Sequence, residues 1–158
     1  MKKLLLTALV STFLATPAVA DHWVVIAGYP NMLKLANISN VKRSGDSVKA
    51  WVAYVNVDPQ KPYDLDLQRI GINCFDESMS INTSYEYFRG KQIKTDDAPS
   101  QWFTPPPASL GYIAITTLCD KNKKPEMFKY VFETDQLQYD VPKIQKLIIN
   151  LKKESQNK

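Results

Sequence analysis
The chain has 158 residues, with 20 Lys and Arg against 16 Asp and Glu, one His, two Cys and a formal charge of +4. That length holds one ordinary domain. Basic residues gather only near the C-terminus, so the charge lacks the one-sided footprint of a nucleic-acid binder, and nothing beyond Ala20 is apolar enough to span a bilayer.

Residues 1–20 read as a cleaved export signal. The basic start Met1-Lys2-Lys3 precedes an apolar run from Leu4 to Leu14, and Pro17 precedes the small-x-small pattern Ala18-Val19-Ala20. The run is about 11 residues, short of the ~20 that a bilayer-crossing helix needs. Cleavage starts the chain at Asp21 and lowers the net charge to about +2. The expected location is therefore the periplasm, the cell surface or the medium, with no stable membrane insertion. In an oxidising compartment two cysteines normally form a bridge. Joining Cys74 to Cys119 closes a loop of about 45 residues, worth ~4 kcal/mol in the chain-entropy model. There is no Cys-x-x-Cys, and one distant pair is a poor metal site.

Strands dominate the first hundred residues. His22 to Ala27 is β-branched and aromatic, and Gly28-Tyr29-Pro30-Asn31 closes it as a turn. Met32 to Asn40 follows with Leu33 and Leu35 on one face. Lys42 to Asp46 reads as a polar turn around Gly45. From Ser47 to Val57 the alternation is clearest, with Val48, Ala50, Val52 and Tyr54 opposite Lys49, Trp51, Ala53 and Val55. A loop runs from Pro59 to about Asp66. Leu67–Asp76 carries Cys74, and Met79–Phe88 and Lys91–Thr95 flank a tight Arg89-Gly90 turn. Short turns without intervening helices imply an antiparallel meander.

The last third is less regular. A proline-rich loop with Trp102 fills residues 95–108. Ser109 to Cys119 fits a strand by its β-branched content. It fits a helix equally well, by its Ser109 cap and its stripe of Leu110, Ile113, Ala114, Thr117 and Leu118. Lys121 to Lys124 reads as a linker and Met127 to Thr134 as a strand. Asp140 is expected to cap a helix with Pro142 in its first turn. Val141, Ile144, Leu147, Ile148 and Leu151 form its apolar stripe, which docks on the domain, and residues 154–158 are expected to fray.

Catalytic constellations are nearly missing. The one histidine, His22, is expected to be solvated near the mature terminus, which leaves a Ser-His-Asp arrangement hard to build. Asp64, Asp66, Asp96 and Asp97 read as loop surface charge, and no glycine-rich phosphate loop occurs. No enzymatic activity, cofactor or metal is expected. The cluster Tyr85, Tyr87, Phe88, Arg89 and Lys91 is more informative, because aromatic and Arg side chains anchor protein interfaces. Period 2 puts Tyr85, Tyr87 and Arg89 on one strand face. The hairpin is the candidate contact with a protein partner, and nucleic acid is not expected as a ligand.

Four features together resemble the bacterial surface-adhesin protein E family. They are Trp23 near the mature start, the run Leu35-Ala36-Asn37-Ile38-Ser39-Asn40-Val41-Lys42-Arg43-Ser44-Gly45-Asp46-Ser47-Val48-Lys49-Ala50-Trp51, the triplet Ile72-Asn73-Cys74, and Trp102 followed by Pro107-Ala108-Ser109 and Cys119. The similarity covers about residues 22–120. It implies an α+β fold, an antiparallel sheet with a helix tied to one face by the disulfide, and so favours the helix at 109–119. It also implies attachment to host extracellular-matrix or serum proteins. Three features depart from that pattern: no lipid-attachment Cys near the start, a stretch after Cys119, and Asn37 where an acid is expected. The expected organisation is a signal at 1–20, an adhesin-like domain at 21–120, and a strand–helix extension at 121–158. The leading function is an exported adhesin-like protein-binding module, for which a homodimer is one allowed arrangement. The alternative is an accessory or structural component of a periplasmic envelope assembly.

Overall fold
The computed structural model describes residues 20–156, so nearly all of the expected export signal lies outside the described residues. In chain order the elements are β1 (His22–Tyr29), β2 (Met32–Asn37), β3 (Lys42–Ser44), β4 (Ser47–Asn56), β5 (Leu65–Asn73), β6 (Ser78–Phe88), β7 (Lys91–Asp96), α1 (Leu110–Cys119), β8 (Val131–Glu133) and α2 (Leu137–Gln156). The strands form one eight-stranded sheet in the order β7-β6-β5-β4-β2-β1-β8, with β3 beside β4. Every pairing is antiparallel. The expected α+β class and meander are borne out.

Alternation along the strands builds two cores. Val48, Ala50 and Val52 of β4 share one face with Val24, Ala36, Ile70 and Ile72, under Ala114, Ile115 and Leu118 of α1. Ala53 and Val55 share the other face with Trp23, Leu33, Leu35 and Leu65, under Leu137, Val141, Ile144 and Ile148 of α2. Both faces are thus covered, each by one helix. That is why β4 is apolar on both sides where a sheet with one wet face would alternate with charge.

The Cys74–Cys119 bridge joins the end of β5 to the end of α1, as expected. At the other end of α1 the Ser109 hydroxyl accepts the Tyr112 N–H at 3.3 Å, the N-cap that makes a helix of an ambiguous stretch. Gly111 lets this helix lie close to the proline loop, since a Cβ there would sit 2.8 Å from the Pro105 Cβ.

α2 crosses its face near one end of the strands. Gln145 Nε2 donates to the Asn56 carbonyl at 2.8 Å, Lys152 Nζ to Asn31 Oδ1 at 3.2 Å, and Tyr139 packs beside Gly90. All three partners are at turns on the same side: β1–β2, β4–β5 and β6–β7. The opposite end of this face, near Ser47 and Asn73, lies beyond the helix.

Several boundaries differ from expectation. Lys42–Ser44 is a strand, β3, because its backbone pairs with β4 although all three side chains are exposed. β5 starts at Leu65, which is fully buried. The strand expected at 127–134 shrinks to β8, preceded by a 3-10 turn at Pro125–Met127. α2 begins at Leu137, so Asp140 lies in its first turn and does not cap it. It continues to Gln156, through part of the region expected to fray.

Candidate functional site at the hairpin tip
The β6–β7 hairpin turns on two residues with left-handed backbones, Arg89 at φ 50° and Gly90 at φ 76°. Positive φ at both central positions is the turn geometry that matches the strand twist of a hairpin. The β4–β5 loop braces this turn. Arg89 N–H donates to Asp64 Oδ2 at 2.8 Å, and Asp64 N–H donates to the Tyr87 carbonyl at 3.0 Å.

The four candidate residues part company here. Tyr85 and Tyr87 share the α2 face, opposite Leu67 and Leu65 of β5. Tyr87 is half-buried against that core, and burial raises its phenol pKa. Tyr85 stacks on Trp51 with ring centroids 6.0 Å apart. Arg89 leaves the strand for the turn, because the tight turn takes residues 89 and 90, and its guanidinium lies 5.1 Å from the Phe88 ring centre. Lys91 is exposed beside Phe88 across the hairpin.

Beside the tip lies a groove of about 520 Å³ between the β4–β5 loop, the turn and α2, lined by Pro59, Tyr63, Phe88, Arg89, Gln145 and Ile149 among others. A second hollow of about 290 Å³ lies between Arg89, Gly90 and the start of α2. Arg89 lines both. Phe88, Ile149 and Tyr139 are large apolar side chains left 42%, 45% and 66% exposed around this tip. Ile149 and Tyr139 did not emerge from sequence reasoning. The one signal for Ile149 was a bulky apolar residue off the helix stripe, and Tyr139 precedes the expected helix start.

Of the carboxylates expected on the surface, Asp96 and Asp97 are exposed, whereas Asp64 and Asp66 are partly buried. Asp64 braces the turn, and Asp66 accepts from Gln68 Nε2 at 2.7 Å, while Oδ1 of each is buried without a hydrogen-bond partner. Burial raises the Asp66 pKa, with Glu86 directly across the strands adding to it. His22 is not simply solvated either. Its Nδ1 lies 2.8 Å from Ser39 Oγ and its Nε2 lies 3.7 Å from Glu133. The same Ser39 oxygen accepts the His22 N–H at 2.9 Å, and Glu133 is 71% exposed, so this trio ties strand ends together at the surface. Asn37 accepts N–H bonds from Ser39 and Asn40 and donates to Asp21 at 2.7 Å. An acid at 37 would set a carboxylate against Asp21, which accounts for the amide. Among the described residues no cluster of His, Cys, Asp and Glu could hold a metal ion, and no helix is long and apolar enough to cross a membrane.

Lys34 is the most unusual polar residue. It is fully buried, donates to the Leu110 carbonyl at 2.8 Å and lies 4.7 Å from the Tyr54 ring centre. It therefore ties the start of α1 to the sheet. Burial lowers its pKa to about 7. A folded pKa below the unfolded value means that the unfolded chain binds more protons between them. Stability should accordingly rise with pH from about 7 toward 10. Above that Tyr54, pushed up to about 12 by burial and by Asp66, makes stability fall again. Melting at pH 7 and 9.5 should show a gain on the order of 2–3 kcal/mol in the wild type, absent from Lys34→Met. An equal gain in both proteins would show that other groups carry it.

A family model described as surface-adhesin protein E matches residues 23–120. No curated protein and no solved structure matches the chain.

Proposed function
The chain belongs to the surface-adhesin protein E family, and from that premise we propose that it is an exported module that attaches to host extracellular-matrix or serum proteins. Family membership carries the adhesin-like surface role. Attachment through the hairpin tip is supported by one observation above the others. Arg89 stands between two hollows with Phe88, Tyr139 and Ile149 exposed around it. Arg and aromatic side chains at the rim of a groove are the usual anchors of protein recognition. A bidentate guanidinium adds directional bonds to a partner's carboxylate.

The test has two arms. Whole producing cells are treated with an impermeant amine label, and the mature protein should be tagged. Purified protein is then passed over immobilised serum and a solubilised basement-membrane extract, where saturable retention is expected. Phe88→Ala with Arg89→Asn should weaken that retention at least about tenfold, the Asn being chosen because it tolerates a left-handed backbone. Protection from the label until the outer membrane is opened would favour the periplasmic envelope role. Retention unaffected by the double substitution would move the contact away from this tip.

A further inference from the structure
The far end of the α2 face, beyond the helix, carries a second surface of different chemistry. Trp51 of β4 pairs with Arg69 of β5, and Lys49 of β4 pairs with Lys42 of β3. Cross-strand partners point to the same face, and strand alternation puts Lys49 on the side of Trp51. Lys42, Lys49, Arg69, Trp51 and Asn40 line one open hollow of about 320 Å³ with no carboxylate in its wall. Lys42, Lys49 and Arg69 are exposed, and among the described residues none of them belongs to an ion pair. Lys42 directly opposite Lys49 is an unfavourable arrangement for the fold.

Aromatic rings border this charge. Trp51 is stacked on Tyr85. Trp102 reaches in from the loop before α1 and lies over Gly71, where a Cβ would come within 3.4 Å of the indole. Trp102 is itself 56% exposed. The loop holding it is fixed against β6, with Phe103 N–H donating to the Met79 carbonyl at 3.0 Å and Ile81 N–H donating to Ser100 Oγ at 2.9 Å. An exposed indole is therefore presented on a tethered segment, next to unpaired cations on the sheet face.

We infer that this face binds an anionic polysaccharide, a glycan bearing sulfate or uronate groups. Unpaired ammonium and guanidinium groups complement such anions. The electron-rich faces of indole rings complement the partially positive C–H faces of a pyranose ring. An acidic peptide fits less well. β4 and β5 are paired on both sides, so an added strand would find a free backbone edge only at the three residues of β3. This site is separate from the hairpin tip and does not depend on how the tip is used.

The test uses the full mature chain with its disulfide intact. The probes are a size-defined heparin oligosaccharide, neutral dextran, polyglutamate and single-stranded DNA, all at physiological ionic strength. Saturable binding to heparin is expected, with a change in tryptophan emission, and none to dextran. Lys42→Gln/Lys49→Gln/Arg69→Gln should bind at least about tenfold more weakly. Its melting temperature should not fall, since the change relieves the Lys42–Lys49 repulsion. Lys146→Gln/Lys152→Gln/Lys153→Gln removes equal charge from α2 and should weaken binding less than about threefold. Three results would overturn the inference: no binding to heparin, equal losses in the two triple variants, or competition by polyglutamate or single-stranded DNA as effective as that by heparin.

Discussion

Ending the chain at residue 120 should abolish cooperative folding, although the family match ends there as well. The reason lies in the α2 face. Trp23, Leu33, Leu35, Ala53, Val55 and Leu65 are buried there by Phe132, Leu137, Val141, Ile144 and Ile148, all of which follow residue 120. Burying one large apolar side chain is worth about 1.5–3 kcal/mol, so those five contribute on the order of 10 kcal/mol. That is the size of a typical domain's whole stability, about 5–15 kcal/mol. The remaining strands would keep α1 on one side and expose a broad apolar face on the other. Urea unfolding of residues 21–120 beside 21–158 checks this. The shorter protein should show no cooperative transition and should bind a hydrophobic dye. A matching sigmoidal transition at the same urea concentration would show that the α2 face needs no cover.

Removing the Cys74–Cys119 bridge should cost roughly 3–4 kcal/mol, from the loop-closure entropy it takes out of the unfolded chain. The effect is amplified locally by how little else holds α1. Only Ala114, Ile115 and Leu118 of this helix are buried, and two of its anchoring polar bonds, the Ser109 cap and the Lys34 bond, lie at its start. Cys74 and Cys119 are both only half-buried, so Cys74→Ser/Cys119→Ser leaves no hydroxyl sealed from water. The double variant should unfold at a clearly lower urea concentration. Its amides in Leu110–Cys119 should exchange much faster than those of β4. Exchange that stays as slow in α1 as in β4 would mean that packing alone secures the helix.

Legibility followed the source of each element's stability. β4 was readable because its own alternation sets both cores. β3 was not, because it is held by backbone pairing and buries no side chain, so Lys42, Arg43 and Ser44 carry no pattern. Ser109 to Cys119 stayed balanced between strand and helix because it buries only Ala114, Ile115 and Leu118, too few to impose a period. The start of α2 was misplaced because Asp140 and Pro142 resemble a first turn, whereas burial of Leu137 extends the helix past the proline. At the tip, the aromatic-basic cluster was visible. The Arg89-Gly90 turn was legible too, whereas the approach of Tyr139 and Ile149 depends on tertiary packing. The cationic hollow was likewise invisible, since Lys42, Lys49 and Arg69 meet only through strand register.

The pairing of β1 with β8 also sets a timetable. His22 lies beside Glu133, and Trp23 beside Phe132, so the first strand to be synthesised borders the last. A chain made from its N-terminus can assemble β1 to β7 as they emerge, each beside one already made except β3, which waits for β4. The edge of β1 and the α2 face must then wait for the final stretch. Until that stretch is released the protein is kept from closing.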